Sequence, residues 1–388
     1  MTAIVTQTDL DTLKQAEVLE ADALALRMAV YASWAAQVPP VEPPIDPPPP
    51  IDPPPVDPPA PPVYDVLPVF KSGSVGAWSV YDLTGKLFDK QLNLRRLSFV
   101  HVVGGTYETA DTCFYCDGGA DIIVEGATFT GAPVAGINVQ RCRIINSTRV
   151  SLRGCTVIGG LATTGIPIDQ LPPLDSTGNV IGLPTGEGVY FGNCTDCGAF
   201  DCDISLLHQG VAISNSSVAI HDNIIHDLRT SPIVGSPLSG STFIGNTTHT
   251  STPWQYGGNG DHGDMLHLWA DAVAIDGLVI SDNTFSQGSG SAMLGVFLQS
   301  KNGGSFPNLD ARGNTISTAN GQGWRVDGCS GVIADTVLIW PGDHSDPKSE
   351  PRLDVNAPSH DIAVNNTKGI VTVDKGLKNV TVNGVLQP

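Results

Sequence analysis

The sequence predicts an all-β protein, a right-handed parallel β-helix of about eight rungs, with an N-terminal α-helix and a proline-rich stalk ahead of it. Three observations predict this. A frame of apolar-x-apolar, a polar step, a small or amide residue and another apolar residue keeps returning. It reads Leu278-Val279-Ile280…Asn283-Thr284-Phe285 and again Val150-Ser151-Leu152…Cys155-Thr156-Val157. The same frame spans Ile122…Phe129, Cys197…Ile204, Val218…Ile225, Leu309…Ile316 and Val332…Ile339. Between these fall period-2 triplets: Phe114-Tyr115-Cys116, Ile137-Asn138-Val139, Val189-Tyr190-Phe191, Val211-Ala212-Ile213, Leu266-His267-Leu268, Val296-Phe297-Leu298, Trp324-Arg325-Val326 and Leu353-Asp354-Val355. Helical periodicity is absent here, and Gly, Asn, Asp and Ser punctuate the gaps. A sandwich or barrel also has many short strands, but it has no reason to repeat an Asn-x-apolar step at one phase.

Residues 1–37 read as one helix, capped at Thr8 or Asp9, with Leu10, Leu13, Leu24, Met28, Tyr31 and Ala35 as an apolar stripe. A lone helix cannot bury that stripe, so it serves as an anchor or oligomerisation segment; a disordered tail is the alternative. Residues 38–63 are mostly proline, which fixes φ and removes amide donors, giving a polyproline II linker. A PxxP ligand is the weaker alternative. Residues 64–112 read as a capping and entry segment, and 113–388 as the β-helix with insertions at 160–186 and 228–263.

The net charge of −19 argues against a nucleic-acid partner, which needs clustered Lys and Arg. No stretch reaches the ~20 apolar residues of a membrane span. The start of the chain carries no basic, apolar, cleavable leader pattern. Cys113-x-x-Cys116 and Cys194-x-x-Cys197 have zinc-pair spacing, yet Cys116 is at an inward position and Cys142, Cys155 and Cys202 fall where later rungs carry Asn. Buried, reduced thiols explain them, and neither a metal nor a cofactor is expected.

The frame also says which side chains leave the core, because neighbours on a strand point to opposite faces. Tyr115, Asn138, Tyr190, Ala212, His267, Phe297, Arg325 and Asp354 form one outward column; Ser214, Trp269, Gln299 and Asp327 form the next. Aromatic rings at Tyr190, Trp269 and Phe297 suit stacking on sugars, and His262, His267, Gln299, Arg325 and Asp327 suit hydrogen bonding to them. Hydrolysis needs two carboxylates across a groove, with Asp264, Asp327 and Glu187 as candidates. β-Elimination needs a base and a cation, as His267 and Arg325 offer. Asp264 as a plain turn cap stays open beside these.

The stretch His262-Gly263-Asp264-Met265-Leu266-His267-Leu268-Trp269 is similar to a His-x-Asp-x-Ile-x-Phe/Leu-Trp element of the pectate-lyase-like β-helix superfamily, in proteins of alphaproteobacteria and their phages. The plan of helix, proline stalk and β-helix resembles spikes or fibres of phage and gene-transfer-agent particles. That resemblance implies a virion-surface protein, assembled in a bacterial cytoplasm, that binds host-surface polysaccharide. It implies docking to a capsid or tail protein through residues 1–63, homo-oligomerisation, and lyase or hydrolase activity in some members only. The chain departs from pectate lyase in lacking its calcium-binding aspartate cluster.

Overall fold

Each short strand pairs with its counterpart one turn later, and in the computed structural model this stacks the chain into three long parallel sheets of 13, 10 and 11 strands. The structure describes residues 62–131, 139–160, 186–253, 255–256, 259–260, 263–290, 292–341 and 350–387. The anchor, and the stalk up to residue 61, lie outside them, as does most of the insertion at 160–186. The chain visits the sheets in rotation: Thr148–Arg153 in the first, Thr156–Ile158 in the second, Glu187–Gly192 in the third. That rotation makes a parallel β-helix, and Ile122, Val150, Phe129, Val157, Phe114 and Val189 all face its sealed interior.

The 11 strands of the third sheet exceed the expected eight rungs by three, one of them Ile370–Val373 near the C-terminal end and the other two in segments expected to hold none. Residues 64–112, read as a cap, already run as coils: Ser98–Val103 pairs in register with Ala120–Glu125, and Thr106–Glu108 with Thr128–Thr130. The segment 228–263, read as one insertion, contains a complete coil of Ile233–Pro237, Thr242–Ile244 and Thr247–Ser251. Its pattern is faint because Gly235 and Thr248 stand where other coils carry large apolar residues. Gly235 holds φ at +144°, and a Cβ there would come within 2.0 Å of the Ile213 carbonyl oxygen.

Two register expectations also shift. Cys142–Ile145 supplies the third-sheet strand where Ile137-Asn138-Val139 was expected, so Arg143 takes the outward position assigned to Asn138. Leu309 aligns with Gly331 rather than Val332, so the frame there runs from Gly331 to Leu338, and Ile339 turns outward. All eight cysteines are buried and unpaired with one another. Cys155 and Cys202 do occupy the amide slot, whereas Cys142 is a strand residue in the core.

The ends are closed differently. At the C-terminal end, Thr381–Val382 and Val385–Leu386 form an antiparallel pair at the edge of the first sheet. At the N-terminal end, residues 62–71 form no strand or helix, and their burial repeats every three residues. Leu67 and Phe70 pack on the core, and the Asp65 carboxylate accepts from the Leu87 amide at 3.0 Å and Lys86 Nζ at 3.1 Å. The third side of this segment carries Val63, Val66 and Val69, exposed by 89%, 92% and 80%. No helix among the described residues is long and apolar enough to cross a membrane.

Candidate functional site

Strand register fixes one outward column along the third sheet. From one coil to the next it runs Asn93, Tyr115, Arg143, Tyr190, Ala212, Val234, His267, Phe297, Arg325, Asp354 and Thr372. Trp269 and Gln299 are paired in the neighbouring column, where Asp327 pairs with Asn356. Large polar or aromatic groups thus crowd the two ends of the column, with Ala212 and Val234 between them.

The densest chemistry lies on the strands Asp264–Asp271, Leu294–Lys301 and Gln322–Asp327. Asp264 is fully buried, and its Oδ2 lies 3.1 Å from His267 Nδ1. With the buried carboxylate beside Nδ1, Nε2 is the ring nitrogen that faces Gln299. Nε2 lies 3.3 Å from Gln299 Oε1. The His267 ring stacks on Phe297 at 4.8 Å and 18°, and meets the Trp269 edge at 5.3 Å and 72°. Arg325 covers the other side of Phe297 at 4.8 Å from the ring centre. Phe297 is only 8% exposed, so it offers no face to a sugar and instead buttresses His267 and Arg325.

Arg325 donates through Nε and Nη2 to the two carboxylate oxygens of Asp327, each at 3.2 Å, and Asn356 Nδ2 donates to Asp327 Oδ1 at 3.0 Å. Asp327 is therefore tied into the sheet, and Asp264 lies behind His267. The arrangement does not present two open carboxylates, as hydrolysis requires. Trp269 keeps a usable ring: Lys301 Nζ covers one face at 4.6 Å, while the preceding coil brings only Gly235 and Ser236 to its level. Tyr190 is similar, with Arg143 6.0 Å from its ring centre on one side and Ala212 on the other. His262 lies outside the described residues.

Glu187 is not part of this group. It starts the strand Glu187–Gly192, three coils before the strand of His267, hence ~14 Å away along the axis. Burial raises its pKa, opposed in part by a hydrogen bond from Gln140 and by the charge of Arg143, and its Oε2 is shut off from solvent without a partner. A raised carboxyl pKa adds stability that is complete below the usual glutamate range and is lost as pH rises through the raised value. Glu187→Gln should therefore raise the unfolding temperature at neutral pH and change it little at about pH 4, where the parent is protonated. An equal shift at both pH values counts against an ionised, poorly solvated Glu187.

Arg143, Val234 and Lys301 belong to this face and were not singled out from sequence. Arg143 was hidden by the misplaced strand and Val234 by Gly235. Lys301 was legible in principle, because it lies two residues past Gln299 on the same side of the strand.

No family model matches the chain, and no curated protein matches it. Among solved structures, a DFA-IIIase from Arthrobacter chlorophenolicus in complex with GF2 is similar at 9% identity and a TM-score of 0.46, over 80% of this chain and 86% of that one. A surface adhesin of Streptococcus pneumoniae aligns at 13% identity and 0.39, over 79% and 74%. The Dettilon tailspike protein aligns at 13% identity and 0.38, over 77% of this chain and 62% of its own.

Proposed function

We propose that this protein is a spike or fibre of a virion-like particle that binds host-surface polysaccharide through the outward face of the third sheet. What supports this most is continuity: His267 and Trp269, then Gln299, then Arg325 come from successive coils, with Phe297 buttressing them from beneath. A linear glycan lying along the axis meets such a surface at every coil. In this reading residues 1–63 attach the spike to a capsid or tail protein. The test is retention of the full chain on host capsule and lipopolysaccharide. Arg325→Ala should weaken it about tenfold; retention unchanged in both Arg325→Ala and Trp269→Ala moves the receptor site off this face.

The same reading includes assembly of several copies, which the exposed Val63, Val66 and Val69 stripe supports, since apolar rows of this kind mark interaction sites. Val66→Asp should shift the protein to smaller species in light scattering while leaving its circular dichroism unchanged. An unchanged mass counts against that stripe as the interface.

A second reading, a polysaccharide lyase, is favoured by the Asp264–His267 contact. His267 Nε2 would take the proton beside a uronate carboxylate that Arg325 neutralises, and the glycosidic oxygen would leave as a carbon–carbon double bond forms. A glycan that binds but releases no ultraviolet-absorbing unsaturated sugar excludes this reading for that glycan.

A further inference from the structure

We infer that the face binds an anionic glycan, one bearing carboxylate or sulfate groups, in a trough between two ring-and-cation pairs formed by Tyr190 with Arg143 and by Trp269 with Lys301. The inference rests on the glycan-binding reading and adds the chemical class of the ligand and a second contact region. Its geometry comes from register. Tyr190 and Trp269 are on third-sheet strands three coils apart, and the two coils between them present only small side chains, Ala212, Val234 and Ser236. The floor is therefore low and the walls are aromatic. Each ring carries a cation from the coil on the side away from the floor, Arg143 at 6.0 Å from the Tyr190 ring centre and Lys301 at 4.6 Å from that of Trp269.

The cations themselves select the ligand. Elsewhere on this face the positive groups are neutralised within the chain: Arg95 pairs with Asp117, Arg325 with Asp327 and Arg352 with Asp354. Arg143 and Lys301 have ring contacts, and no ion pair includes either of them among the described residues. The carboxylates facing them are engaged elsewhere or withdrawn. Asp271, aligned with Lys301, accepts from Asn302 Nδ2 at 2.7 Å, and Glu187 near Arg143 is mostly sequestered. A chain of net charge −19 repels polyanions in general, so two cations without an ion-pair partner at the ends of a trough are a local exception. Arg143 and Lys301 are on strands five coils apart, ~24 Å along the axis, a span that suits a chain of several sugars charged at intervals.

The experiment is affinity electrophoresis of the full chain through gels containing polygalacturonate, alginate or heparin, with dextran and mannan as neutral probes. Retention is expected on at least one acidic probe, weakened about tenfold by Arg143→Ala and by Lys301→Ala, with a shallower salt dependence in each. Both variants should fold, since Arg143 is exposed and Lys301 half-exposed. Retention on neutral probes alone, acidic retention untouched in the double variant, or retention on none of the probes overturns the inference. Neutral retention that Trp269→Ala abolishes overturns it while leaving the glycan-binding reading standing; loss of all binding, including to host cells, ends both.

Discussion

Asn283→Ala is expected to lower the unfolding temperature by about 5 °C, from a loss of about 3–5 kcal/mol. The reason is a ladder of fully buried amides, Asn223, Asn246, Asn283 and Asn314, one per coil. Each Nδ2 donates to the next Oδ1 at 2.9 Å. Asn283 fills all its capacity: Oδ1 accepts from the Asn246 amide and Asn246 Nδ2, and Nδ2 donates to the Phe243 carbonyl and Asn314 Oδ1, each at 2.9 Å. Alanine removes these bonds and strands partners on both adjacent coils in a site sealed from water. Asn283→Cys, which copies the residue that Cys155 and Cys202 place in this slot, should cost less than alanine, because a thiol fills the volume and bonds backbone carbonyls as they do. Thermal unfolding of the full chain followed by circular dichroism reads both. A shift under 1 °C for Asn283→Ala means the ladder is not holding the corner.

That ladder was legible because an amide at one phase of a solenoid has a single physical purpose: it satisfies backbone groups where the chain turns between sheets. Legibility failed where the interior was not apolar. The coil through Ile233, Val234 and Gly235 has a glycine at an inward position because the backbone passes close to Ile213, and without a large apolar residue there its sequence resembles an insertion. Gly331 hid a one-residue offset in the same way, which turned Ile339 outward. At the face, the sequence identified which side chains point out but not what covers them. Phe297 was expected as a sugar platform, and its two faces are occupied by His267 and Arg325, a cross-coil arrangement that no single strand reveals. The contact of Asp264 with His267 was not legible either, since residues three apart on a strand point to opposite faces and only the bend at the strand's start brings them together.

Leu268→Ala and Trp269→Ala should behave as opposites, although the residues are neighbours. Leu268 is fully buried between the coils that carry Gly235 and Leu298, so removing it leaves a cavity with no room to collapse, at about 2–5 kcal/mol. Trp269 points away from the interior beside Lys301 and Gln299, so its loss leaves no cavity. Trp269→Ala should keep the unfolding temperature close to the parent's while weakening glycan or host-cell binding about tenfold, the loss of one stacking surface worth roughly 1–2 kcal/mol. Leu268→Ala should show the reverse: lower stability, with affinity retained at temperatures where it is folded. The contrast guards against a trivial explanation, because general destabilisation cannot spare binding in one variant and abolish it in its neighbour. A Trp269→Ala that unfolds beside a stable Leu268→Ala would place the tryptophan in the core, and since side chains alternate along a strand, every residue assigned to the binding face would then point the wrong way.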